Sequence, residues 1–311
     1  MVTLGPVSWR IAAVLPGGLN SDKVRIPGSK VFDGAFSMAR AQIRLLERLT
    51  EFEECERIQK AVWGAISVAS EVMAVTQKYG GAVLGAFVDN ECVGFIYAFL
   101  ARRRGRLVHW SHQMAVRDGF RDLGIGFKMK MAHRRHALQQ GLKSICWTYD
   151  PLQSRNAVLN ISRLGAQVEE YVPDCYGHFP SLIEKELPSD RFVVNWKIAS
   201  NGVGRSRRGD PPQVRTATLP SVNPTRLARE FLENRELLLD LRQPRFLVEI
   251  PTNTDRMRAK SLDLARRWRL ETRRLFQHYF SSGYTVVGLV TPSSANDGRC
   301  FYVLGRRRHR R

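Results

Sequence analysis

The sequence holds no apolar run approaching the ~20 residues that cross a bilayer. Its first apolar stretch, residues 11–15, is too short for the core of a secretory signal, so a cytoplasmic protein with no membrane partner is the expectation. Cysteine is scarce: Cys55, Cys92, Cys146, Cys175 and Cys300 are odd in number, scattered, and never in a Cys-x-x-Cys pair. That argues against a disulfide framework and a structural zinc, and predicts reduced thiols and no metal. No repeat of fixed period is present, which excludes a solenoid. The fingerprint Gly-x-Gly-x-x-Gly is absent as well, which removes the usual signature of a dinucleotide fold.

Acidic residues are also in short supply, 29 against 49 basic ones, for a net charge of +20. Such a balance suits nucleic acid, a membrane surface, or an anionic ligand on an arginine-rich background. The arginines cluster in short patches, at 102–106, 133–136, 205–208 and 306–311, and the last reads as a solvated end. No interleaving of aromatic and basic residues of the RNA-binding kind accompanies them, so nucleic acid stays an open partner without a supporting motif.

At 311 residues the chain should bury roughly 75% of its unfolded surface, enough for two cores. Residues 1–35 are rich in Gly and Pro and read as an N-terminal arm. Residues 201–225, broken by Gly202, Gly204, Gly209, Pro211, Pro212, Pro220 and Pro224, read as a linker between a domain at 36–200 and a smaller one at 226–311. In the larger domain, periodicity predicts a strand over 43–49 and helices over 51–63 and 70–78. It places strands at 82–88 and 92–100 around the polar turn Asp89-Asn90-Glu91, and another at 108–116. A helix over 127–140, a strand over 143–148, a helix over 154–164 and a strand over 192–198 follow. The smaller domain is predicted as a helix over 227–241, a strand over 246–250, one long amphipathic helix over 255–280, and strands at 285–290 and 300–304. The fold class is α/β (α+β), with a mixed, mostly antiparallel sheet.

The informative segment is Met114-Ala115-Val116-Arg117-Asp118-Gly119-Phe120-Arg121-Asp122-Leu123-Gly124-Ile125-Gly126, a strand entering a loop that opens a helix. A helix start carries unpaired N–H groups and a positive dipole end, and glycines let a phosphate approach the backbone. Arg121-x-x-Gly124-x-Gly126 between strand and helix resembles the hallmark of the GNAT superfamily of CoA-dependent N-acyltransferases. The resemblance runs over about residues 40–200, and the stretch Trp147-Thr148-Tyr149-Asp150-Pro151-Leu152 with Arg155-Asn156, Tyr171 and Tyr176-Gly177 is similar to a poorly characterised GNAT branch with an extra C-terminal region. It implies a GNAT-type twisted sheet flanked by helices, followed by a smaller α/β unit that is either a degenerate half-copy of the fold or a cap on the substrate pocket.

The resemblance further implies acetyl-CoA or another acyl-CoA as co-substrate and a small amine as acceptor. The backbone of Arg121, Asp122, Leu123, Gly124, Ile125 and Gly126 would hold the pyrophosphate. The edge Met114, Ala115 and Val116, with Gln113, would meet pantetheine, and Asn156 would stand beside it. His112, at the spacing where the similar arylalkylamine N-acetyltransferases carry a histidine, is the implied base, while His109 faces the other way and His133 and His136 are expected in solvent. Ile161 replaces the usual tyrosine acid, so Tyr149 and Asp150 are the substitutes, with Tyr176 or water as further options. Asp122 adds a carboxylate where the family has a small or neutral residue, which is unfavourable near a diphosphate unless it points away. Acetyl or succinyl transfer to a small amine or amino acid is the expected activity. A weakly active scaffold binding nucleic acid or an acidic partner is the alternative, and a homodimer is left open.

Overall fold

The computed structural model describes residues 41–64, 67–177, 187–199, 219–293 and 298–306. The arm at 1–35 and residues 201–218 of the linker lie outside them, as does the tail beyond Arg306. In chain order the elements are β1 (Gln42–Leu45), α1 (Leu49–Trp63), α2 (Ser70–Lys78), β2 (Ala82–Val88), β3 (Glu91–Arg103), β4 (Arg106–Val116), α3 (Ile125–Gln139), β5 (Ser144–Tyr149), α4 (Ser154–Ala157), β6 (Gln167–Val172) and β7 (Arg191–Lys197). The C-terminal region adds β8 (Thr225–Ala228), β9 (Phe231–Asn234), β10 (Arg245–Ile250), α5 (Thr254–Lys260), α6 (Leu262–Ser281), β11 (Tyr284–Val290) and β12 (Cys300–Arg306).

Seven strands form one sheet in the order β1-β2-β3-β4-β5-β7-β6, antiparallel everywhere except between β4 and β5. The α3 face buries Leu84, Ile96 and Ala98 under Ile125, Met129 and Ala132. The opposite face buries Phe95, Tyr97 and Val83 under Phe52, Cys55, Ile58 and Met73 of α1 and α2. The α/β class with a mostly antiparallel sheet therefore stands as expected.

Several elements differ from the sequence reading for physical reasons. The strand expected to Leu49 stops at Leu45, because the Glu51 carboxylate accepts from the Glu47 N–H (2.9 Å) and the Arg44 guanidinium (2.7 Å), turning the chain into α1. The leucine-rich stretch 227–241 is no helix. It forms the β8–β9 hairpin, with Leu227 70% exposed, and then an extended run whose Leu237, Leu238, Leu239 and Leu241 all pack on the core. A helix would have turned some of those four away, so tertiary burial overrides propensity. The long helix breaks at Ser261, whose Oγ caps the Leu264 N–H (3.3 Å) and starts α6 afresh. The helix from Ser154 widens after α4 into a π-type turn over Val158–Arg163, and β6 had no prediction.

One hydrophobic core joins the C-terminal region to the larger sheet. Phe192 of β7 lies at its centre, with ring centroids 4.8 Å from Phe276, 5.3 Å from Tyr302 and 5.8 Å from Tyr149. Each such aromatic contact adds about 0.5–1.5 kcal/mol beyond area burial. Residues 219–225 of the expected linker run beside β10, the Leu247 N–H donating to the Pro220 carbonyl (2.8 Å). The three-stranded sheet β10-β12-β11 places β12 between the strands that α5 and α6 connect, unlike the directly paired β4 and β5.

Polar bonds concentrate where β5 leaves the sheet, and five consecutive residues there each reach the C-terminal region. Asp150 pairs with Arg269, the Pro151 carbonyl accepts from Tyr302 (2.8 Å), and the Leu152 carbonyl accepts from Thr254 (2.7 Å). Gln153 donates to Asp255 (3.1 Å) and Ser154 to the Thr252 carbonyl (2.8 Å). The region thereby fixes the end of β5 and the start of α4.

Candidate active site

β4 pairs with β3 along its whole length, but Tyr97 faces Gln113 while Ala98 faces Ser111, so His112 is an extra residue. Such a bulge bends a strand and re-aims one side chain. Here it turns His112 onto Tyr97 and Phe99, with ring centroids at 6.0 and 5.9 Å. His112 remains exposed to solvent, and the partial desolvation that these rings impose lowers its pKa. A neutral imidazole at neutral pH accepts a proton.

On its other side β4 pairs with β5 only at His109–Ile145 and Trp110–Cys146. β4 runs on to Val116 and β5 to Tyr149, so beyond Trp110 the strands part and residues 111–116 offer the gap a backbone rim that β5 does not pair. At the end of that rim the loop turns through Asp118–Phe120 and opens α3. Gly124 adopts a left-handed conformation (φ 75°) as the helix cap, and a Cβ there would meet nothing within 4 Å. Glycine takes that conformation with no Cβ penalty. A Cβ on Gly126 would meet only Met114, at 3.6 Å. The first α3 hydrogen bond to the cap is Lys128 N–H to the Gly124 carbonyl (3.1 Å), which leaves the amides of Ile125, Gly126 and Phe127 pointing out of the helix start.

The charged residues of the loop are arranged around this start. Arg121 donates from Nε to the Val116 carbonyl (3.1 Å) and pairs with Asp118 (2.6 Å), which braces the loop against β4. The Asp122 carboxylate, unfavourable beside a diphosphate, accepts from Arg155 of α4 (3.0 Å). Leu123 is exposed, as is Asn156 on α4 next to Arg155.

With a split parallel pair, a bulged histidine and a glycine-opened helix start in one place, the comparison with known families is decisive for the segment that builds them. Residues 45–158 match the model of the Acetyltransferase (GNAT) family. This segment is a GNAT acetyltransferase domain. No curated protein matches the chain. Similar solved structures include an aminoglycoside acetyltransferase from an uncultured soil metagenomic sample in complex with trehalose (19% identity, 37% of this chain and 82% of that one, TM-score 0.34). Another is an acetyltransferase of the GNAT family from Streptococcus pneumoniae (14% identity, 50% and 98%, TM-score 0.41).

Within the GNAT domain the structure separates the residues picked out as acids. Tyr149 is buried, its hydroxyl 3.2 Å from that of Tyr302, and desolvation raises its pKa above the ordinary phenol value. Both Asp150 oxygens accept from Arg269 (2.8 and 2.5 Å), and one also accepts from the Leu152 N–H. Burial alone would raise the Asp150 pKa, and Arg269 reverses that to a net lowering. Neither side chain joins His112, because both serve the contact with the C-terminal region. Tyr176 is placed differently. Its hydroxyl lies 2.7 Å from Thr148 Oγ1, and Thr148 follows Cys146 on the sheet face that also carries His112.

The opposite face of the gap holds His133, expected in solvent, together with His109 and Lys130. His133 is fully buried, with Nε2 3.0 Å from His109 Nδ1, while His109 Nε2 lies 2.9 Å from the Gly80 carbonyl. The carbonyl can only accept, so His109 donates from Nε2 and His133 donates to His109 Nδ1. Lys130, one turn earlier on α3, is 2% exposed and sits under the point where β4 and β5 part. The legible signal was its spacing with Ala137 and His133 on one helix face.

Proposed function

We propose that the protein is an acyl-CoA-dependent N-acyltransferase that carries an acetyl or succinyl group to the primary amine of a small molecule or amino acid by direct attack in a ternary complex. The observation that carries this reading is the β4 rim at 111–116, which β5 does not pair, leading into the glycine-opened start of α3. The residues present fit such a donor: three amides point out of the helix start, no acidic residue stands in its first turn, and Asp122 is held by Arg155. When bound, the donor supplies an acyl group already activated as a thioester.

The chain's own residues do the rest. The α3 amides and Arg121 hold the diphosphate, and the rim of Met114, Ala115 and Val116 with Asn156 holds the arm. The rim N–H groups also stabilise negative charge on the thioester oxygen, as preorganised donors do. His112 takes the proton that the amine loses, and Tyr176 stands on the same face. No covalent acyl-enzyme is required, since proximity in the gap makes the attack effectively intramolecular. Calorimetry with acetyl-CoA and succinyl-CoA tests the reading, followed by thiol release against a panel of amines and amino acids. Micromolar binding and turnover with at least one amine are expected. Absence of binding to both donors, with salt-sensitive retention on nucleic acid instead, overturns it.

A further inference from the structure

We propose that Lys130 and Ser111 form the proton supply for the departing thiol, Ser111 giving up its hydroxyl proton at the fork of β4 and β5 while Lys130 replaces it from below. This rests on the acyl-CoA reading. Ser111 is the first β4 residue beyond the last β4–β5 pair and immediately precedes the bulged His112. Lys130 Nζ donates to Ser111 Oγ (3.0 Å) and lies 3.8 Å from the centroid of Trp147, the first β5 residue beyond the pairing. The amine thus touches both strands where they separate. A donor anchored at the α3 start and running along the rim brings its thioester toward this fork.

The surroundings favour a titrating amine. Among the described residues Lys130 has no carboxylate partner. The groups around it are Ser111 from β4, Trp147 from β5, and His133 of its own helix, behind which stand His109 and His136. Desolvation lowers Lys130 to about 7, and holds His133 well below the ordinary imidazole value, with the Lys130 charge adding to the effect. An amine near neutrality is matched to proton transfer at physiological pH. It also fills the role left open by Ile161, Tyr149 and Asp150.

The protons balance. As the N–C bond forms and the C–S bond breaks, His112 accepts the amine's proton. The sulfur takes the Ser111 hydroxyl proton and Ser111 takes one from Lys130 Nζ; His112 then releases its proton to solvent, and Lys130 regains one through Ser111 from water that enters the gap when the products leave.

The test uses the full-length protein, with Lys130→Met keeping the stem against Trp147 and Ser111→Ala removing the relay. In the unliganded wild type, NMR of carbon-13-labelled lysine should show one ε-carbon titrating near neutrality that is missing in Lys130→Met. With acetyl-CoA and hydroxylamine, the wild-type rate should fall as pH rises through the Lys130 value, since the protonated amine is the active form. Both variants should lose that falling limb, lower kcat on the order of 10²-fold, and bind acetyl-CoA within twofold of wild type. The double variant should be no worse than either single one. A Lys130 signal titrating in the ordinary lysine range, or a falling limb that persists in Ser111→Ala, overturns the proposal. Failure of the wild type to bind acetyl-CoA overturns the acyl-CoA reading, and with it this proposal, by a separate measurement.

Discussion

Replacing Arg269 by Met removes one half of a buried ion pair whose partner is 119 positions away in the chain. Arg269 is 3% exposed, and its two terminal nitrogens meet the two Asp150 oxygens at 2.8 and 2.5 Å. Losing one member of such a pair leaves an uncompensated buried charge, at a cost of about 3–5 kcal/mol. At about 2–4 °C per kcal/mol for domains of this general size, Tm should fall by roughly 10 °C. The pH dependence gives the sharper check. In the wild type Arg269 holds Asp150 below its ordinary value, so the stability it confers is present above that value and is lost as pH falls through the folded pKa. Without Arg269 the Leu152 N–H and the more distant Arg191 still favour the carboxylate, but burial, the largest influence, raises the Asp150 pKa, so the variant is relieved when the carboxyl is protonated. The Tm deficit measured by calorimetry should therefore be larger at pH 8 than at pH 5. Adding Asp150→Asn should restore part of the loss, because removing both charges ends the mismatch. A deficit of under about 1 kcal/mol at pH 8, or one that does not change with pH, would refute this account of the contact.

His112→Ala should lower kcat by about 10²- to 10⁴-fold and leave acetyl-CoA affinity unchanged in calorimetry. Because His112 acts in its neutral form and its pKa lies below the ordinary 6.5, the wild-type rate should already have passed its rising limb at pH 7; equal rates for variant and wild type at every pH would remove it from the mechanism. Gly124→Ala forces a side chain into φ 75° without a steric clash, so its cost is conformational, about 1–2 kcal/mol in thermal unfolding. Phe276→Ala, which empties the space beside Phe192 and Tyr302, should cost about 3–5 kcal/mol by urea denaturation.

Local chemistry made much of the fold legible. The turn at Asp89-Asn90, both at positive φ, sets β2 against β3, and the glycines after β4 mark the helix start, as their composition suggested. The break at Ser261 carried a readable signal too, a serine three residues before a helical position. The extended run at 235–241 carried none, because leucines in sequence look alike whether a helix or a neighbouring core claims them. Asp150 was similarly opaque: a carboxylate at a strand end reads as chemistry until its arginine is located.

The amino-acid order alone determined the glycine-opened helix start, since unpaired amides and a left-handed glycine are properties of a few adjacent residues. Strand alternation also predicted that His109 and His112 face opposite ways, and the bulge at His112, seen only in the strand pairing, preserves that. Only the tertiary structure decided which groups are dry. The parting of β4 from β5, the burial of Lys130 and His133, and the capture of Asp150 by Arg269 all depend on surfaces brought together from distant parts of the chain. Desolvation, which sets the charge state of each of those groups, belongs to the packed molecule and to no single residue.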